Sequence, residues 1–116
     1  MVYNPNWHRH KYKAVKTEID GLVFDSKHEA DVYAKLKLRE KAGEIQDLQL
    51  QPRFVLQDAF EKGGKKYRKI EYVADFQYIE KGRIHVIDAK GYKTDVYKLK
   101  KKLFEKKYKD LTIEEV

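Results

Sequence analysis

The chain has 116 residues, no cysteine and a formal net charge of +7, with a pI near 9.4. That length suits one domain, the missing cysteines exclude disulfides and thiolate metal centres, and no apolar run approaches the ~18 residues a membrane-spanning helix needs. The cationic balance points to an anionic partner, nucleic acid ahead of an acidic membrane surface, in a cytoplasmic setting.

In chain order, residues 1–13 mix Asn, Pro, His, Lys and aromatic residues without periodicity. They read as a basic arm in which Arg9, Lys11 and Lys13 can meet phosphates and the rings can stack on bases. The stretch has no apolar core and so does not read as a signal peptide. Residues 14–116 read as the domain. "TEIDGLVF" predicts a hairpin turning at Asp20-Gly21. "SKHEADVYAKLKLREKAGEI" predicts a helix capped by Ser26, with Glu29 three residues later, that ends near Ala42 and Gly43. Asp31, Lys35 and Arg39 recur on one face, expected to be solvated. Val32, Tyr33 and Leu36 form the apolar face, and Glu29 heads it. "IQDLQLQPRFVLQ" predicts a strand broken or bent at Pro52. "FEKGGKKY" reads as a turn, "YRKIEYVADFQYIE" as one long strand, and "RIHVIDAK" as the next. "TDVYKLKKKLFEKKYKD" predicts a second helix capped by Thr94, its core stripe being Val96, Leu99 and Leu103. "LTIEEV" predicts a last short strand, reached by a crossover and parallel to its neighbour. The expected class is α/β, a central mixed sheet flanked by two main helices.

The stretch "HVIDAKG" places opposite charges at the tip of a strand that otherwise reads as buried. If Lys81-Gly82 is the whole loop, Glu80 faces Arg83 and Asp75 falls opposite Asp88. Alternation then puts Asp75, Asp88 and Lys90 on one face. Two carboxylates about 5 Å apart repel by roughly 3 kcal/mol at an effective dielectric near 20, so a compensating charge is expected. Mg²⁺, which one or two carboxylates commonly hold, would supply it, and Lys90 would in part. Glu29 has two open readings, half of a capping box or a third acidic group aimed at the sheet. For Lys90 the alternatives are an ion pair with Asp88 or a group acting on a phosphate. Lys98, Lys101, Lys102 and Lys106 are either a solvated helix face or a phosphate track. Lys93 and Thr94 can meet phosphate at the helix start.

Asp75, then Asp88-Ala89-Lys90 across a hairpin, preceded by a helix that bears Glu29, resembles the PD-(D/E)XK nuclease superfamily. "DGLVFDSKHEA", "LQPRF", "YVADF" and "VIDAKGYKTDVYKLKKKLF" resemble more closely a small phage-encoded family of unknown function assigned to that superfamily, from about Lys11 to the C-terminus. The resemblance implies a restriction-endonuclease-like domain. It implies Asp75, Asp88 and the Ala89 carbonyl as ligands of Mg²⁺ or Mn²⁺, completed by Glu29. Lys90 matches the lysine that positions water, and Gln51 would add a hydrogen bond beside the site. The reaction implied is in-line hydrolysis of a DNA phosphodiester that leaves a 5′-phosphate. Ala74 stands where the superfamily usually has proline. By analogy with small nucleases that cut branched DNA, the implied form is a homodimer acting on Holliday junctions or other branched DNA in phage replication or packaging. The competing expectations are a non-catalytic nucleic-acid-binding module, an RNA-directed nuclease, and a subunit of a larger recombination or packaging complex.

Overall fold

The structure, a computed structural model, describes residues 16–116. Its elements are β1 (Thr17–Ile19), β2 (Leu22–Phe24), α1 (Lys27–Lys41), β3 (Gln46–Leu50), β4 (Arg53–Gln57), β5 (Phe60–Lys62), β6 (Lys65–Tyr67), β7 (Ile70–Val73), β8 (Phe76–Glu80), β9 (Arg83–Asp88), α2 (Asp95–Lys107) and β10 (Ile113–Glu115). The class is α/β. The strands do not form the single central sheet expected. A four-stranded mixed sheet in the order β10-β9-β8-β3 is accompanied by three two-stranded ribbons, β1-β2, β4-β7 and β5-β6.

The hairpin between β8 and β9 has the predicted register, Glu80 against Arg83 through Phe76 against Ile87. Lys81 and Gly82 both take positive φ, 51° and 77°, the pair a two-residue hairpin turn of primed type requires. β10 lies parallel to β9, with Ile113 beside Val86; the chain gets there through α2, as the crossover pattern predicts.

Two expected elements are organised differently, and a third takes one of its two expected forms. The predicted long strand is cut at Ala74-Asp75, because its hydrogen-bond partner changes there. Ala74 N–H donates to Pro52 O at 3.1 Å on the β4 side, whereas Asp75 N–H donates to Ile87 O at 3.1 Å on the β9 side. β7 therefore pairs with β4, and β8 with β3 and β9. Of the two forms expected at Pro52, broken or bent, the structure has the break, with Gln51 at φ 51° separating two strands of different sheets. "FEKGGKKY" is itself a hairpin, with Phe60 opposite Tyr67.

Helix α1 begins where the sequence predicts. The Ser26 hydroxyl accepts from Glu29 N–H at 3.0 Å, and the last turn closes on Ala42 before Gly43 at φ 79°. Ala30, Tyr33 and Leu36 pack with Phe24, Phe76, Tyr78 and Ile87 into one core layer. Arg39 departs from its expected solvated face. It reaches Glu80 at 2.7 Å and lies over the Tyr78 ring, because a guanidinium can pair and stack at once.

Helix α2 is capped by Thr94, whose hydroxyl accepts from Tyr97 N–H at 3.0 Å, but it is rotated from the expected face. Val96, Leu99 and Leu103 are 61%, 57% and 40% exposed, while Tyr97 and Phe104 are buried. Phe104 stacks edge-on against Phe54 and Tyr72, and this aromatic layer takes in Tyr72, Ala74, Val86 and Ile113. Aromatic rings bury more area per residue than aliphatic side chains, and here they outweigh the aliphatic stripe. Neighbouring Val86 and Ile87 alternate between the two layers, which puts the sheet between α1 and α2.

Candidate active site

The C-terminal end of β9 carries the predicted acidic groups. Asp88 is fully buried. By alternation it shares a side with Val86, and there it meets the aromatic layer under α2. The Tyr72 hydroxyl donates to Asp88 Oδ2. The other oxygen, Oδ1, is buried without a hydrogen-bond partner, and its nearest cation is Lys90 Nζ at 3.5 Å. Lys90 is held from behind by the Tyr97 ring, 5.2 Å from its centroid. Such a contact favours a localised cation without neutralising it.

Asp75 sits at the break between β7 and β8. Ala89 N–H donates to Asp75 Oδ2 at 2.7 Å, and Gln51 N–H donates to the Asp75 carbonyl at 2.9 Å. The Ala89 bond ties the Asp75 carboxylate to the end of β9, on the side of Asp88, and the Gln51 bond fixes the Asp75 backbone. Glu29 arrives from the other layer, on the first turn of α1. Its carboxylate makes no reciprocal bond to Ser26 N–H, so the capping is one-sided and the Glu29 side chain is left to face the cleft.

That cleft, ≈ 750 Å³, is lined by Glu29, Asp75, Ala89, Lys90 and Thr94, together with Asp25, His28 and Tyr92. Asp88 lies beneath its floor. A smaller recess of ≈ 230 Å³ on the far side of Glu29 and Asp75 is walled by Gln51 and the apolar residues of β2. The predicted supporting glutamine thus lies beside the site, contributing its backbone.

Burial and like charge couple the protonation of the cluster. Partial burial, then the charges of Asp75 and Asp25, push Glu29 up from 4.5 to about 7, against the lowering effect of Lys90. Burial first pushes Asp88 up from 3.8 to about 6; the Tyr72 hydrogen bond opposes this and the Asp75 charge adds to it. Burial raises the Tyr72 and Tyr97 phenols well above their ordinary value, so both remain hydrogen-bond donors.

The donor set is all oxygen, which suits a hard divalent cation such as Mg²⁺ or Mn²⁺. The orphaned Oδ1 of Asp88 and the mutual repulsion of three carboxylates are the features such a charge would relieve. Among the described residues, no three acidic or histidine side chains are already close enough together to hold a metal ion. The chemistry therefore fits, while the spacing is wider than a closed ligand set.

The predicted DNA-contacting lysines on and just before α2 are only partly free. Lys93 and Lys101 both close on Glu115 of β10, at 3.2 and 3.3 Å, and Tyr97 Oη donates to the same carboxylate at 2.7 Å. The Tyr97 hydrogen bond first, then the two lysines, pull Glu115 down to about 2. Lys98 and Lys102 remain exposed at the rim of the shallow depression this makes. Lys106 is exposed as well. Arg9, Lys11 and Lys13 lie outside the described residues.

Sequence reasoning missed Tyr72, Tyr97, Asp25 and Glu115. For Tyr72 a signal was present: a tyrosine on a buried strand requires a partner for its hydroxyl. For Glu115 there was none, because its role depends on β10 lying beside β9. In comparisons with known proteins, no curated protein and no solved structure matches the chain. One family model does match, over residues 9–116, and its description is "Protein of unknown function (DUF1064)". A match over nearly the whole length of the chain makes it a member of the DUF1064 family.

Proposed function

We propose that the protein is a metal-dependent endodeoxyribonuclease of the PD-(D/E)XK kind. Its substrate is branched or duplex DNA in phage DNA metabolism, and it works as a cytoplasmic homodimer. The observation that carries this reading is Asp88 Oδ1, a buried carboxylate oxygen with no hydrogen-bond partner and a lysine ammonium at 3.5 Å. A structural carboxylate at the same depth would have both oxygens satisfied.

In this reading Asp75 and Asp88, with Glu29 and the Ala89 backbone, hold Mg²⁺ or Mn²⁺, which when bound lowers the pKa of water and offsets the charge of the phosphate. Tyr72 fixes the orientation of Asp88 by donating to Oδ2. Lys90, steadied on Tyr97, draws a phosphate oxygen into the cleft and stabilises the charge that develops as the phosphodiester opens. Ala89 N–H holds Asp75 in place.

The test is cleavage of labelled branched, duplex and single-stranded DNA with Mg²⁺, Mn²⁺ or EDTA. The expected result is metal-dependent cutting that falls at least ~100-fold in Asp88→Asn and in Lys90→Ala, as loss of a charge-stabilising group does. Cutting that survives both substitutions would sink the reading.

One observation favours a second reading, a nucleic-acid-binding module without catalysis: the three carboxylates are not yet gathered around a single point. Unchanged DNA binding with no cutting in any metal would establish it.

A further inference from the structure

The β5–β6 hairpin is used by none of the chemistry above. Between Phe60 and Lys69 the sequence places five cations, Lys62, Lys65, Lys66, Arg68 and Lys69, against one carboxylate, Glu61. Every residue of both strands is exposed. Among the described residues, none of Lys62, Lys65, Lys66 and Arg68 enters an ion pair; Lys69 reaches Glu71 at 3.8 Å. An isolated two-stranded ribbon is marginally stable in water. This one is braced by its own rings: Phe60 and Tyr67 stack at 4.6 Å with planes 8° apart.

We infer that this hairpin is a wing that binds duplex DNA by reaching its lysines to phosphates along the major groove. Three features argue for that partner. Paired residues share a face, so Lys62 and Lys65 lie on the same side as the stacked rings and Lys66 lies on the other; cations therefore point both ways from the ribbon, as a groove with phosphates on both walls demands. The rings are largely spent. Tyr67 has Phe60 on one face and Lys65 Nζ 5.0 Å from its ring centroid, which leaves little ring surface for the base stacking that single strands use. The tip is Gly63-Gly64, both at positive φ and with open space around each Cα, so the leading edge is bare backbone. The major groove of B-DNA admits a two-stranded ribbon, whereas that of duplex RNA is too narrow.

The wing is also rooted at the cleft. The β4-β7 ribbon leads from Gln51 and Asp75 to the hairpin. The eleven residue steps from Asp75 to Gly64 span at most ~36–40 Å, close to one turn of duplex. The wing then contacts DNA up to one turn to one side of the bond in the cleft. That placement rests on the nuclease reading; the binding itself does not.

The test is fluorescence anisotropy with a 30-base-pair DNA duplex in EDTA, across a salt series. The variant Lys62→Ala/Lys65→Ala/Lys66→Ala is compared with Lys35→Ala/Lys41→Ala/Lys109→Ala, which removes equal charge elsewhere. All six lysines are exposed or at a helix surface, and thermal melts confirm folding. The hairpin variant is expected to lose at least tenfold in affinity near 0.1 M salt. Its log K against log salt slope should become shallower by about 2.7, or ~0.9 per lost phosphate contact; the control should change less than threefold. Equal weakening of the two variants overturns the inference, as does wild-type binding to single strands or duplex RNA as tight as to duplex DNA. Because binding is read in EDTA, the two proposals fail separately. Hairpin-dependent duplex binding without cutting leaves the wing standing and removes the nuclease. Cutting by a hairpin variant that binds like wild type does the reverse.

Discussion

The Asp88 carboxylate has a division of labour between its oxygens. Oδ2 is committed to the Tyr72 hydroxyl, and Oδ1 is left to the Lys90 ammonium. Removing the donor should expose the cost of that arrangement. Tyr72→Phe leaves a buried, charged acceptor without its hydrogen bond, and urea unfolding should show a loss of about 1.5–3 kcal/mol. It should also push Asp88 still further up, since that hydrogen bond, ahead of the Lys90 charge, opposes the effect of burial; titration of the Asp88 carboxyl by NMR would read the shift. Tyr97→Phe makes a useful contrast. It keeps the ring under Lys90 and drops only the bond to the half-exposed Glu115, so its stability loss should be smaller, about 1 kcal/mol.

At the scale of elements, α2 carries two apolar stripes and buries the aromatic one. Phe104→Ala should cost about 3–5 kcal/mol, because the ring is fully buried and touches Phe54, Tyr72 and Tyr108. Leu99→Ala should stay within about 0.5 kcal/mol, as its side chain already meets water. Equal losses in denaturant titrations would refute the observed rotation of the helix. The sequence could not settle this, since 3.6-residue periodicity is satisfied by Val96, Leu99 and Leu103 and also by Tyr97, Phe104 and Tyr108. Caps and tight turns were legible because each has local chemistry: Ser26 and Thr94 with their hydroxyls, and Lys81-Gly82 with its left-handed pair. Parity across that turn was enough to bring Asp75 to Asp88. The break at Ala74-Asp75 carries no glycine or proline and arises from a change of partner strand, which is long-range information. The Glu115 clamp was illegible for the same reason.

For the whole molecule, the acidic cluster sets a pH signature. Glu29 and Asp88 hold protons more tightly folded than unfolded, at about 7 and about 6 against 4.5 and 3.8. The folded chain therefore binds more protons across that window, and stability falls as pH rises through it. The penalty is absent well below the unfolded value of 3.8 and complete only well above the folded value of about 7. Glu115 has the opposite sign: its contribution is present above 4.5 and is lost as pH falls towards about 2. Thermal melts in EDTA should thus decline from pH 5 to pH 8, and Glu29→Gln/Asp88→Asn should flatten that decline. Mg²⁺ should restore more of the melting temperature at pH 8 than at pH 5, since binding to the folded chain alone stabilises it.

The cluster also straddles the sheet. Glu29 is supplied from the layer built on α1, whereas Asp88, Tyr72 and Tyr97 belong to the layer under α2. Neither half carries the full set, so loosening either one disperses the carboxylates. If the proposed cutting is real, its loss on heating should coincide with whichever half gives way first, and cutting that outlived the earlier loss of structure would show that the required groups all reside on one side.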